Sequence, residues 1–143
     1  MRTLPQTHKR IAAVVLSSAL AVIAGYSSMA FGQNIALAGS NEVPPVTTSA
    51  AGTAMVTIGA DRSVKATVTV TGMTATASHI HMAAAGANGP VIVPFTKTGD
   101  NAFGAAADAK LTEEQYAAYK AGNLYVNVHS AANPGGEVRA QLK

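Results

Sequence analysis

An all-β domain, built as an antiparallel Greek-key sandwich or barrel with one short helix near 112–121, is what this sequence predicts. Three observations carry the prediction. "SVKATVTVTG" sets Val64, Ala66, Val68 and Val70 against Lys65, Thr67, Thr69 and Thr71, the two-residue period of a strand with one buried face. Similar runs occur at "TAMVTIG", "HIHMA", "PVIVPFT", "NLYVNVHS" and "GEVRAQL", parted by Gly, Pro, Asn and Asp. Six or seven such strands within about 110 residues suit a closed or stacked antiparallel fold.

Taken in order, the chain begins with a segment of a different kind. Arg2, Lys9 and Arg10 precede an almost unbroken apolar run from Ile11 to Ala24, and "SSMAFGQ" then supplies small residues. That is the layout of a secretory signal peptide over 1–32, with cleavage after Ala30 or Gly32. The apolar run, about fourteen residues, is short of the roughly twenty that span a bilayer, so no membrane span is expected after cleavage. The mature chain, 33–143, is then a single domain, exported to the periplasm or the extracellular space.

Charge and cysteine content narrow the function classes. Three of the ten Lys and Arg residues lie in the leader and none of the seven acids does, which leaves a neutral mature chain, seven against seven. The high pI belongs to the leader, so a basic nucleic-acid-binding surface is not supported. With no cysteine, disulfides, thiolate metal sites and thiol redox chemistry are all excluded.

After the leader, "EVPPVTTSAAG" reads as an extended edge or loop, because Pro44 and Pro45 cannot donate to a sheet. The helix follows from "KLTEEQYAAYKAGN": Thr112 can cap its start with Gln115 completing a capping box, and Gly122 can close its end. Glu113 and Glu114 fall in the first turn, where the helix dipole favours acids, and are not read as catalytic. Tyr116 and Tyr119 pack the helix onto the barrel, and "NPGG" at 133–136 makes a tight turn.

The mature chain keeps three histidines, His79, His81 and His129. Two residues apart on a strand, His79 and His81 point to one side while Ile80 packs on the other. In "LYVNVHS" the apolar face is Leu124, Val126 and Val128, which puts His129 on the opposite, polar face with Tyr125 and Asn127. If the two strands are neighbours, the three imidazoles converge on one metal ion. Imidazole without thiolate suits copper or zinc. Met82 faces away, toward the core. Tyr125 and Asn127 share the His129 face, where they can orient an imidazole by hydrogen bonding or act in packing and turns. Histidines merely bonded within the sandwich are the competing structural reading.

"LAGSNEVPPV", "GTAMVTI", "GMTATASHIHMAAAGANGPVIV", "LTEEQ" and "AGNLYVNVHSAANPGGEVRAQL" together resemble the CHRD domain, found in chordin and in secreted microbial proteins, over about residues 35–143. The order of "GM", H-x-H, a late "VH" and a Gly-rich turn leading to Arg is in turn similar to copper-zinc superoxide dismutase, an eight-stranded Greek-key barrel. That second resemblance implies a copper site at His79, His81 and His129, with Arg139 as a catalytic residue that guides superoxide. An exposed cation beside a metal would indeed draw in a small anion. No histidine lies between His81 and His129, so the bridging ligand and the zinc site have no counterpart, nor has the disulfide. The expectation is therefore one copper ion, zinc ranking behind it, in an exported protein that dismutates superoxide. Arg139 could instead pair with Glu137 or a neighbouring acid as a sheet-surface charge. A copper-binding protein without turnover, an extracellular interaction module without metal, and a zinc hydrolase are the alternatives. The hydrolase ranks last for want of a general base beside the histidines.

Overall fold

The computed structural model describes residues 32–143, so the leader expected over 1–32 lies, except for Gly32, outside the described residues. Eight strands are present: β1 Gln33–Ala38, β2 Ala51–Ile58, β3 Val64–Thr71, β4 Ala75–Met82, β5 Val91–Gly99, β6 Ala102–Ala105, β7 Leu124–Ser130 and β8 Val138–Gln141. One helix, α1 Glu113–Lys120, lies between β6 and β7. All strand pairs are antiparallel and close into a barrel of neighbour order β1-β2-β3-β6-β5-β4-β7-β8. β4, β5 and β6 are consecutive neighbours, and β7 returns by the long connection through α1 to lie beside β4, which is the Greek-key arrangement. The expected fold class is met, with two strands beyond the six runs read from the sequence, β1 and β6.

The barrel is filled by alternate residues. β3 follows the expected pattern, with Val64, Val68 and Val70 buried and Lys65, Thr67, Thr69 and Thr71 exposed. Ala54, Val56 and Ile58 of β2, Ile80 of β4, Phe103 of β6, and Leu124, Val126 and Val128 of β7 complete the interior. Each fully buried Val, Leu or Ile there contributes about 1.5–3 kcal/mol of transfer free energy. Met82 packs partly buried against this core.

α1 starts where expected. Thr112 Oγ1 accepts the Gln115 N–H at 3.2 Å and Gln115 Oε1 accepts the Thr112 N–H at 2.9 Å, a complete capping box. Gly122, at φ 75°, adopts the left-handed conformation that ends the helix. Tyr116 and Tyr119 pack against the barrel, and Glu113 forms an ion pair with Arg62 at 3.7 Å on the surface.

β7 departs from the alternation read in its sequence: all seven of its residues are buried. Its outward face, expected to be polar and open, lies beneath loops. Residues 83–90 cross it through Ala84, Ala87 and Asn88, whose acceptors bind Arg139, while the turn Asn133–Gly136 closes over its end. The histidine face is therefore half enclosed rather than an open sheet surface.

Candidate metal centre

β4 and β7 are hydrogen-bonded neighbours, with Ala77 opposite His129, His79 opposite Asn127 and His81 opposite Tyr125. Cross-strand partners point to the same side of a sheet, so His79, His81 and His129 share the outer face while Ile80, Val126 and Val128, each fully buried, fill the barrel. A shift of register between Ile80 and His81 against β5 bends β4 at this point, as β-bulges beside functional groups do.

The three rings converge. One ligating nitrogen from each lies within 4.8 Å of the other two, and His79 Nδ1 is 3.0 Å from His129 Nε2. Two nitrogens bound to one ion at about 2.0–2.1 Å are at most about 4.2 Å apart, so the widest pair would have to close by about 0.6 Å. His81 is 8 % and His129 9 % exposed, whereas His79 is half-buried and forms the open side.

Backbone carbonyls set the tautomers. His81 Nδ1 lies 2.9 Å from the Gly89 carbonyl oxygen and His129 Nδ1 lies 2.9 Å from that of Pro134. A carbonyl only accepts, so both Nδ1 atoms carry the proton and both Nε2 atoms present a lone pair. His129 Nε2 then accepts from His79 Nδ1–H. His81 Nε2 is buried with no hydrogen-bond partner, a vacant acceptor aimed into the cluster. An ordinary structural histidine would have that atom satisfied.

The electrostatics favour neutral rings. Burial, reinforced by His129 and His81, pushes the His79 imidazole down to about 4. Burial lowers His81 as well, against the Gly89 hydrogen bond that raises it. Unprotonated imidazoles near neutral pH are the form that binds a metal.

Behind the rings lies a buried polar layer. Tyr125 stacks on His81 with centroids 4.8 Å apart and planes at 8°, and its Oη accepts the Gly89 N–H at 3.3 Å. Tyr125 thus both packs and orients. Asn127 Oδ1 and Glu42 Oε1 are buried without partners. Burial pushes the Glu42 carboxyl up to about 7, although Arg139 and Asn127 both pull it down. Gly136 makes room for this layer, since a Cβ there would meet Glu42 Oε1 at 2.5 Å and Asn127 Nδ2 at 2.6 Å. A groove of about 750 Å³ reaches Glu42 and Arg139 from the β1 side, and none of the histidines lines it.

Arg139 is not the exposed cation that the sequence suggested. It is 1 % exposed, with its guanidinium carbon 3.4 Å from the centre of the Tyr125 ring, because the 83–90 loop closes over it. Nor does it pair with Glu137. That carboxylate accepts from Thr48 Oγ1 at 2.7 Å and from Ser130 Oγ, bonds that hold it below the usual carboxylate range.

Gly89 and Glu42 were not singled out from the sequence. Glu42 carried a signal, being the one charged residue between Gln33 and Ala60. Gly89 carried none beyond its place in a Gly- and Asn-rich turn.

Residues 34–142 match the family model of the CHRD domain. No curated protein and no solved structure matches the chain. Among the described residues, no helix is long and apolar enough to cross a membrane.

Proposed function

The chain belongs to the CHRD domain family, and for this member we propose a mononuclear copper site, formed by His79, His81 and His129, that dismutates superoxide. The observation that carries the reading is the buried, unpartnered Nε2 of His81, set among imidazole nitrogens within 4.8 Å and fixed in direction by the Gly89 carbonyl. The donors would be His79 Nδ1, His81 Nε2 and His129 Nε2. An all-imidazole set without thiolate favours Cu(II) over Zn(II) in the usual affinity order.

Copper held there supplies one-electron exchange, by which two superoxide ions and two protons become dioxygen and hydrogen peroxide. The protein's own part is to hold and to shield. Gly89 and Pro134 keep two rings from turning, and the low proton affinity of His79 keeps its nitrogen available near neutral pH. A small anion would approach past His79, the half-buried ring. An exported location belongs to the same reading. It rests on the leader-like segment 1–32 and the absence of cysteine, and N-terminal sequencing of the secreted form, starting at Phe31 or Gln33, checks it.

A second reading, a copper-holding protein without turnover, is favoured by one observation, the burial of Arg139. Copper titration of the mature protein followed by superoxide decay on the same sample, with His129→Ala alongside, separates the two. One tight copper with fast decay, both lost in the variant, supports dismutation. Tight copper without decay leaves the holding role, and no stoichiometric copper sinks both.

A further inference from the structure

Tyr125 lies between two groups of opposite character. One face of its ring stacks on His81, while Arg139 places its guanidinium carbon 3.4 Å from the ring centre. The register explains the sandwich: β7 runs between β4 and β8, with His81 opposite Tyr125 on one side and Gln141 opposite it on the other, beside Arg139.

The guanidinium is held by neutral acceptors alone. They are Asn88 Oδ1 at 3.2 Å, the carbonyl oxygens of Ala87 at 2.8 Å and Ala84 at 3.4 Å, and Gln141 Oε1 at 3.4 Å. Among the described residues no carboxylate comes within the 4.0 Å of an ion pair with it. A full positive charge thus remains on the far side of Tyr125, where burial removes most of the screening that water would give.

Resting on the copper reading above, we propose that Arg139 is a positioning residue acting through Tyr125. It pins that ring against His81 and, as a fixed buried cation, raises the reduction potential of copper held by the three histidines. The physical reason is charge. A nearby cation disfavours Cu(II) more than Cu(I), so the ratio of the two affinities moves toward the reduced ion. Glu42 carries the opposing charge, and its burial beside Arg139 makes the balance between the two the field that the site feels.

The test measures Cu(II) and Cu(I) affinities by competition, and the reduction potential, for the wild type, Arg139→Lys and Arg139→Gln. Relative to the wild type, Arg139→Gln is expected to favour Cu(II) by about tenfold, a potential lower by about 59 mV for one electron. Arg139→Lys, which keeps the charge, should stay close to the wild type. A folded Arg139→Gln protein with an unchanged affinity ratio would overturn the inference. Should that variant not fold, Glu42→Gln decides from the other side. At pH 8 it removes the opposing charge and is expected to raise the potential, and an unchanged potential counts against the proposal. Failure of the copper reading looks different: the wild type itself would bind no stoichiometric copper, which sinks both before any variant is compared.

Discussion

His81 is held by the backbone of Gly89, whose carbonyl oxygen lies 2.9 Å from the imidazole Nδ1. The same glycine donates its N–H to Tyr125 Oη, so one residue of the covering loop fixes both the ring and the aromatic stacked on it. Gly89 has no room for a side chain, since a Cβ would lie 1.9 Å from the Met82 carbonyl oxygen. Gly89→Ala must therefore displace the loop and free His81. The expected loss of copper affinity is about 10–100-fold, the range found when groups that orient a ligand are removed. A titration of the folded variant checks it, and unchanged affinity would show that the Gly89 bond does not set the ring.

Ile80 lies between the two paired histidines and faces the barrel interior at 0 % exposure. Ile80→Ala is expected to cost about 2–5 kcal/mol of stability by leaving a cavity, measured by denaturant unfolding. Its effect on copper affinity should be smaller than that of Gly89→Ala, because the ligand side of β4 loses no contact. A stability cost below about 1 kcal/mol would mean that the strand relaxes freely.

The pH dependence of the metal-free protein follows from His79. An imidazole of the unfolded chain titrates near 6.5, and burial pushes that of His79 down to about 4. Between these values the unfolded chain binds more protons, so the contribution of this group is present above about 6.5 and is lost as pH falls toward about 4. Copper competes with protons for the same nitrogens. Binding at pH 5.5 is thus expected to remain close to that at pH 7.5, where an ordinary imidazole would already be mostly protonated. Isothermal titration at the two pH values decides, and a steep loss by pH 5.5 would contradict the placement of His79.

Glu42 has the opposite sign. Its carboxyl is raised to about 7, so in this range the folded chain binds the extra proton, and the contribution is lost as pH rises through about 7. Glu42→Gln should flatten the decline of stability between about pH 5 and pH 8. Thermal melts of the two proteins across that range would show parallel curves if Glu42 were ordinarily ionised.

The period-two pattern was enough to place His79 and His81 on one face and His129 on the polar side of another strand, and the pairing of β4 with β7 brings them together. The capping box of α1 was readable because Thr112 and Gln115 act locally. β6 was not, since "AFGA" is four residues of which three are Gly or Ala, leaving Phe103 as its only large apolar side chain. The surroundings of Arg139 were hidden for another reason. A strand pattern tells which side a residue faces, and only the tertiary course of 83–90 decides whether that side is water or a loop. The same loop turns the outer face of β7 from an exposed surface into a second interior.

The most direct test of the central claim is electron paramagnetic resonance of the mature protein loaded with one equivalent of Cu(II), wild type beside His79→Ala, His81→Ala and His129→Ala. One copper per chain with hyperfine structure from three nitrogens is expected, each variant losing one nitrogen and more than about 100-fold in affinity, beyond what orienting groups contribute. Copper bound equally well by all four proteins, or no stoichiometric copper in the wild type, would contradict it.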